Sequence, residues 1–460
     1  CERAFHDCYS LTEVILPNEL TTIEDGTFVN CENLKSIEIP ASVTQIGEGA
    51  LGYIGGEKVE NFTIYGHGDG AAKTYAEDND FTYIDLDNTE NSGKCGANLY
   101  WTLEDGVLTI TGSGAMKNYT VRYYDNRVQR SDCPWYGKNI TELVLQSGIT
   151  TIGSYAFYDC EDLTSVELPK GVTAIGECAF LGSGITELEL PNTLKTIGKA
   201  AFGWCDIDSL HIPASVTSIG ESAFSGAMRE ITVDPSSWYF TAVDGGLYNK
   251  SMTRLLAIES ATCTSFVIPD TVSRIDITVF HNTSVLQHLH LGAKVPASYF
   301  SSSVDSPLKS ITVSEKNAEL YSISGVLFAK KGSQLLIYPR ESENGGRYEV
   351  PAGTKSIATL AFWDCPDLTE LVLPEGLTTV EAYATVNCTG LKRVEIPASV
   401  KTIGDMAFGY AYGPDQLEDF TIASYCGSPA EAYAKRNAFD FDDLDFLTGE
   451  CGDNLTWTLH

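Results

Sequence analysis

Few residues in this sequence are spaced for catalysis. The Gly-x-Ser-x-Gly pattern of serine hydrolases, the His-Glu-x-x-His pattern of zinc peptidases and the phosphate-binding loop of nucleotide-dependent enzymes are all absent. The segment Asp85-Leu86-Asp87 starts like a calcium-binding loop, but the glycine and glutamate that would complete the loop are missing. We therefore predict that the protein is not an enzyme and has no cofactor.

Two of the seven histidines are the strongest metal-ligand candidates. His288 and His290 lie two residues apart on a predicted strand, so their side chains share one face. A structural zinc site needs four ligands, and the sequence offers no third residue beside this pair. We predict no metal site.

Charge restricts the possible partners. The chain has 460 residues, with 30 Lys+Arg against 62 Asp+Glu, which gives a net charge of −32. Such a chain repels nucleic acids and anionic lipid surfaces, and it favours basic partners or simply high solubility. No segment approaches the roughly 18 consecutive apolar residues of a membrane-spanning helix, so we expect no membrane insertion.

An internal repeat of 22 or 23 residues determines the fold. The segment 11–17 (LTEVILP) aligns with 34–40 (LKSIEIP), and an Ala-Phe pair recurs at 156–157, 179–180, 201–202 and 223–224. Alternating apolar and polar residues predict a half-buried strand, the proline ends it, and the next residues turn the chain. The phenylalanine is expected to point inward. One such unit cannot bury its apolar face alone, so the turns must stack into a solenoid.

These residues resemble a known class of repeat. The segment that shows it best consists of Leu163-Thr-Ser-Val166-Glu-Leu168-Pro169, Val172-Thr-Ala-Ile175-Gly176 and Ala179-Phe180. It resembles the BspA-like leucine-rich repeats of bacterial surface proteins. The resemblance implies a β-rich leucine-rich-repeat solenoid with a parallel sheet on its concave face and short helical or 3-10 turns. It also implies an extracellular, secreted or surface-attached protein that contacts host or neighbouring-cell proteins.

The cysteines follow the same repeat. Three pairs occupy one position after Ala-Phe, and they are Cys8 and Cys31, Cys160 and Cys205, and Cys365 and Cys388. In leucine-rich repeats this position holds a buried Asn or Cys that serves the turn backbone, so the resemblance implies a ladder of buried thiols. Disulfides between adjacent turns are the alternative, and Cys95 with Cys133 is the best single disulfide candidate.

A longer period divides the chain. Residues 62–86 align with 420–444, and each copy predicts a short helix and a strand that cap an array. Residues 93–103 align with 449–459, and Glu104-Asp105-Gly106 predicts a hairpin turn. We predict the end of a first array at 1–86, a hairpin cap module at 87–137, a second array at 138–444 and the start of a further hairpin module at 445–460. Hairpin insertions are expected at about 231–265 and 311–347. The chain is expected to be a piece of a longer protein.

The outward positions of the predicted sheet supply the candidate binding residues. The acidic stripe on the concave face, with one histidine, consists of Glu142, Glu167, Glu187, Glu189, His211 and Glu230. An alternative aromatic surface consists of Tyr158, Trp238, Tyr239 and Trp363. The stripe predicts a protein ligand of basic character, whereas exposed aromatic residues would suit a polysaccharide. A purely structural spacer within a larger bacterial surface protein is the third alternative.

Overall fold

The computed structural model describes residues 1–87, 90–124, 127–276, 278–280, 283–300, 307–444, 447–452 and 455–459. The chain forms two compact units. Unit 1 comprises residues 1–226 and 232–239, and unit 2 comprises residues 227–231 and 240–460. The domain boundaries given above remain predictions.

A regular turn of the solenoid contributes two short parallel strands. The first strand precedes the proline, and in unit 1 the first strands are Ser36–Glu38, Thr63–Gly66, Thr82–Asp85, Glu142–Leu145, Ser165–Glu167, Glu187–Glu189 and Ser209–Ile212. The second strands of unit 1 are Thr22–Ile23, Gln45–Ile46, Gly114–Ala115, Ile149–Ile152, Ala174–Ile175, Thr196–Ile197 and Ser218–Ile219. The sequence predicted only a turn at the second position, because two residues are too few to show alternation.

Unit 2 repeats this plan with hairpins added. Its first strands are Ser265–Val267, His288–Leu291, Ser310–Val313, Arg347–Glu349, Glu370–Val372, Arg393–Glu395, Thr421–Ser424 and Asp440–Asp443. Its second strands are Arg274–Ile275, Ser356–Ile357, Thr379–Val380 and Thr402–Ile403. Two antiparallel meanders extend the second-strand sheets, and their strands are Phe240–Val243, Gly246–Asn249 and Arg254–Ile258, then Leu320–Ile323, Val326–Ala329 and Gln334–Ile337.

The remaining elements cap or decorate the arrays. The helices are Ala71–Asp78 and Pro429–Arg436, with a 3-10 helix at Ala297–Phe300. The other strands are Tyr53–Ile54, Glu57–Lys58, Ser92–Lys94, Leu99–Glu104, Val107–Gly112, Val121–Tyr124, Arg127–Ser131, Glu230–Val233, Leu447–Gly452 and Leu455–Leu459. Asp105 and Gly106 form the predicted two-residue turn, since Glu104 pairs with Val107. Ser428 caps the second helix by accepting a hydrogen bond from the Glu431 N–H at 3.2 Å.

A phenylalanine stack forms the core of unit 1. The rings of Phe157, Phe180, Phe202 and Phe224 are buried, and successive centroids lie 5.0, 5.2 and 5.8 Å apart. The inward prediction for the Ala-Phe position is confirmed. The residue before each Ala-Phe pair has a left-handed backbone conformation, even where that residue is Tyr155 or Cys178, whose φ angles are 56° and 52°. The turn therefore imposes this conformation on side chains that rarely adopt it.

A glycine fixes how closely the turns approach. The N–H of Gly198 donates to the Ile175 carbonyl at 2.8 Å, and Gly176 donates in the same way to Ile152 at 2.9 Å. A Cβ added to Gly198 would lie 2.5 Å from the carbonyl carbon of Gly176. Only glycine fits this position, because the backbones of neighbouring turns are in direct contact.

Candidate functional site

The first strands of unit 1 present their carboxylates on an exposed face. Leu143, Val166 and Leu210 are buried, while the residues on either side of each point outward and are exposed. This alternation follows from the pleat, which sends successive side chains to opposite faces. We call Glu142, Glu167, Glu187 and Glu189 the acidic face; all four are exposed.

The strand register brings like charges together. Glu167 pairs directly with Glu189, and Ser165 pairs with Glu187, in parallel strands. Adjacent strands lie about 4.8 Å apart, and like charges at this spacing destabilise a sheet. None of the four carboxylates of the acidic face forms an ion pair with any residue that the structure describes. The face therefore carries uncompensated negative charge.

A groove runs along this face. Its volume is about 740 Å³, and its lining includes Glu167 and Glu189. Leu168, Leu190 and the prolines that follow them supply apolar walls. Lys170 and Asp234 also line it, so carboxylates outnumber cations here. The groove combines negative charge with apolar surface.

The other two predicted residues of the stripe have different surroundings. His211 lines the groove, and its Nδ1 lies 2.9 Å from the Thr232 hydroxyl of the next turn. Glu230 is exposed but belongs to unit 2, whereas the other five predicted residues belong to unit 1.

The corresponding face of unit 2 carries ion pairs. Arg347 pairs in register with Glu370, and their side chains form a salt bridge. Arg393 contacts Glu395 at 3.6 Å and Asp442 at 2.9 Å. We call Arg347, Glu349, Glu370, Arg393 and Glu395 the paired face, because arginine forms ion pairs with two of its three carboxylates.

The aromatic residues of the alternative surface differ in exposure. Trp238 is 86% exposed and Tyr239 is 50% exposed, both in unit 1. Tyr158 is half-buried between Tyr136 and Tyr155, with ring centroids 6.3 and 6.0 Å away.

Trp363 is also half-buried, and it lies in unit 2. Trp204, which the sequence analysis missed, is 59% exposed. Its position in the repeat is held by aspartate in other turns, among them Asp159 and Asp364, and this polar character was the available signal.

Three of the six cysteines at this repeat position bind the backbone of the preceding turn as the resemblance implied, and five of the six are buried, whereas Cys8 is half-buried. The thiols of Cys31, Cys205 and Cys388 donate to the carbonyls of Phe5, Phe180 and Phe362 at 3.2, 3.2 and 3.0 Å. Burial raises the pKa of Cys160 to about 12 and that of Cys205 to about 11.

Cys95 and Cys133, the disulfide candidates, are both buried free thiols in the structure. Cys451 lies outside the residues whose side chains the structure describes.

The part of the chain that the structure describes has neither a cluster of three metal ligands nor a membrane-crossing helix. Within those residues, no three or more His, Cys, Asp and Glu side chains come together in a way that could hold a metal ion. No helix among them has the length and apolar character needed to cross a membrane.

The fold defines the class of protein. Two parallel strands per turn, a turn of 22 or 23 residues and an inward Phe form a leucine-rich-repeat solenoid, as the sequence predicted. The family described as "BspA type Leucine rich repeat region" matches residues 1–69, 131–239, 257–336 and 341–430, in six copies. This chain belongs to that family, and no enzyme family is indicated.

Several solved structures resemble the chain. A leucine-rich repeat protein from Eubacterium ventriosum is 25% identical, with a TM-score of 0.47, over 70% of this chain and 94% of that one. A leucine-rich cell surface protein from Faecalibacterium prausnitzii is 19% identical, with a TM-score of 0.38, over 76% of this chain and 94% of that one. The pneumococcal vaccine antigen PcpA is 17% identical, with a TM-score of 0.33, over 76% and 98% respectively. None of the curated proteins matches the sequence.

Proposed function

We propose that this protein is a non-catalytic recognition protein that acts outside the cell and binds a basic segment of another protein on its acidic face. The observation that carries this proposal is the juxtaposition of Glu167 and Glu189, exposed and unpaired on neighbouring strands. Such a pair lowers stability, and a cationic ligand would remove that cost. Membership of the BspA-type family supports a role in recognition and a place on a bacterial cell surface.

The groove suggests the form of the ligand. An extended segment that carries Lys or Arg could place its charged groups against Glu167 and Glu189 and the methylene stems against the half-buried Pro169 and Leu188. Recognition of this kind gains both electrostatic steering and apolar contact, so its affinity should fall as salt rises.

A fluorescent decalysine peptide is the probe for this proposal. Its binding is measured by anisotropy at low and at physiological ionic strength, with the wild type and with the triple variant Glu167→Gln/Glu187→Gln/Glu189→Gln. The matched control is Glu349→Gln/Glu370→Gln/Glu395→Gln in unit 2, which removes the same formal charge from the paired face.

The two triple variants separate a site from a general charge effect. We expect the unit 1 variant to lose at least about tenfold in affinity, and the unit 2 variant to retain wild-type affinity within about twofold. Equal losses of affinity in both variants would mean that the peptide responds only to the net charge of −32. No binding by the wild type would refute the acidic face as a docking surface.

The place of action has its own test. An antibody against this chain should label intact cells of the source organism as strongly as permeabilised cells. Labelling that requires permeabilisation would contradict an extracellular role.

Polysaccharide binding is a second candidate, and the exposure of Trp238 favours it. An indole that is 86% exposed, next to the half-exposed Tyr239, offers a flat apolar surface on which a sugar ring could stack. Retention on immobilised polysaccharides should be lost in Trp238→Ala and kept in Trp204→Ala, which removes another exposed indole. Equal retention of wild type and both variants would exclude Trp238 as a sugar platform.

A further inference from the structure

Although the sequence alone predicted no metal site, we propose that His288 and His290 form a two-imidazole binding site for a late first-row divalent metal ion, Ni²⁺, Cu²⁺ or Zn²⁺. The site lies on the exposed face of a three-stranded sheet in unit 2. It does not depend on the acidic face, which belongs to unit 1.

The strand places both imidazoles on one face. Leu289, between them, is 1% exposed and packs into the core, so the two histidines point away from it. Residues two apart on a strand are separated by about 6.6 Å along the backbone, so a tilt of each ring toward the other is needed to bring the two Nε2 atoms to the roughly 4 Å that one ion spans at about 2.1 Å from each. Neither ring is buried.

A hydroxyl group on the next strand orients each ring. The Nδ1 atom of His288 lies 2.8 Å from the Ser310 hydroxyl, and that of His290 lies 2.9 Å from the Thr312 hydroxyl. A hydroxyl can accept from Nδ1–H, and this tautomer leaves the lone pair of Nε2 free on the other side of the ring. Metal-ligating histidines usually donate this N–H to an oxygen acceptor, which fixes the tautomer and the ring orientation, and here the hydroxyl takes that role.

The surroundings leave the imidazoles available. The flanking positions on the neighbouring strands are Ser265, Val267, Ser310 and Thr312, all uncharged. Neither histidine forms an ion pair with a residue in the described part of the chain. Imidazole nitrogen suits Zn²⁺, Cu²⁺ and Ni²⁺, whereas Mg²⁺ and Ca²⁺ prefer oxygen. Two protein ligands leave coordination positions to water or to groups of a partner.

Calorimetric titration of the tag-free chain with Ni²⁺ and Zn²⁺, in excess Mg²⁺ to occupy the carboxylates, tests the proposal. We expect one ion per chain, and His288→Gln or His290→Gln should each weaken binding at least about tenfold. The double variant Ser310→Ala/Thr312→Val keeps both imidazoles and should weaken binding about tenfold, as expected for lost outer partners. His211→Gln is the matched control, because His211 has the same hydroxyl bond but no second histidine on its strand.

Two results would overturn the site. A loss in His211→Gln equal to that in His288→Gln would mean that any surface imidazole suffices. Binding that excess Mg²⁺ abolishes, or that survives removal of both histidines, would assign the ion to carboxylates. Melting curves for every variant confirm that the fold is retained.

Discussion

On the sheet of unit 1, Glu167 pairs in register with Glu189, whereas on the sheet of unit 2 Arg347 pairs in register with Glu370. All four of these residues are exposed, and the strands that carry them keep an apolar or aromatic residue at their centre, which is buried at Val166, Tyr348 and Leu371. The groove in unit 2 beside Glu370, Arg393 and Glu395 is also smaller, at about 370 Å³ against about 740 Å³ in unit 1. One fold therefore carries a compensated face and an uncompensated face, and this contrast identifies the candidate docking surface.

The largest expected effect comes from truncating one core phenylalanine in each unit. The two variants test whether the cores beneath these faces are equally well packed. Phe180→Ala in unit 1 and Phe362→Ala in unit 2 should each lower the free energy of unfolding by about 3 to 5 kcal/mol, because both rings are fully buried. Chemical denaturation measures the change. An unchanged unfolding curve for either variant would contradict its position in the core.

The thiols offer a second test of equivalent cores. Because burial raises the pKa of Cys205 from about 9 to about 11, its thiolate fraction at pH 8 should fall about a hundredfold. In the native protein, iodoacetamide should label exposed Cys1 and Cys426 and spare Cys205 and Cys388; mass spectrometry reads the labelling.

The same shift has a stability consequence at high pH. Since the pKa of Cys205 is higher in the folded protein than in the unfolded chain, the contribution of this thiol to the free energy of unfolding is complete below pH 9. It should decline as the pH rises toward 11. Fast labelling of Cys205 at pH 8, before unfolding, would contradict its burial.

Converting the face of unit 1 into that of unit 2 should have a moderate effect. Glu189→Arg places a cation opposite Glu167, as Arg347 lies opposite Glu370. We expect about 0.5 kcal/mol of added stability and an affinity for decalysine reduced about tenfold. Peptide binding at wild-type strength in this variant would show that Glu167 and Glu189 do not form the site.

The reverse conversion should have the smallest effect. Arg347→Gln frees Glu370, and the loss of stability should stay below about 1 kcal/mol because both side chains are about half exposed. Decalysine should then gain a few-fold in affinity for unit 2, measured in the triple Gln background of unit 1. No gain in affinity would mean that the size of the groove limits decalysine binding more than the unpaired charge of Glu370 does.

Much of the fold could be predicted because the same sequence pattern recurs in many turns. Val166 and Phe180 each occupy a position that recurs every 22 or 23 residues, so strand, proline and inward ring follow from alignment alone. The pairing of Glu167 with Glu189 also follows, since neighbouring turns must stack in register.

The rest depends on contacts that the repeat pattern does not contain. The left-handed conformation of Cys178 is imposed by hydrogen bonds to the next turn, where its N–H donates to the Lys199 carbonyl at 2.8 Å. The ion pair of Arg347 was hidden because that residue falls inside a predicted insertion. The hydroxyl partners of His288 and His290 lie on another strand, so the sequence alone gave the pair without the groups that orient it.

The contact at Gly198 has a consequence for how such a gene can change. Because every turn meets its neighbours through the same backbone bonds, removal of residues 177–198 would join Gly176 to Lys199 and recreate the same interior surroundings. Recombination between repeats can therefore shorten or lengthen the protein by whole turns. A missense change in a codon for this glycine replaces it with a larger residue and is far less tolerable.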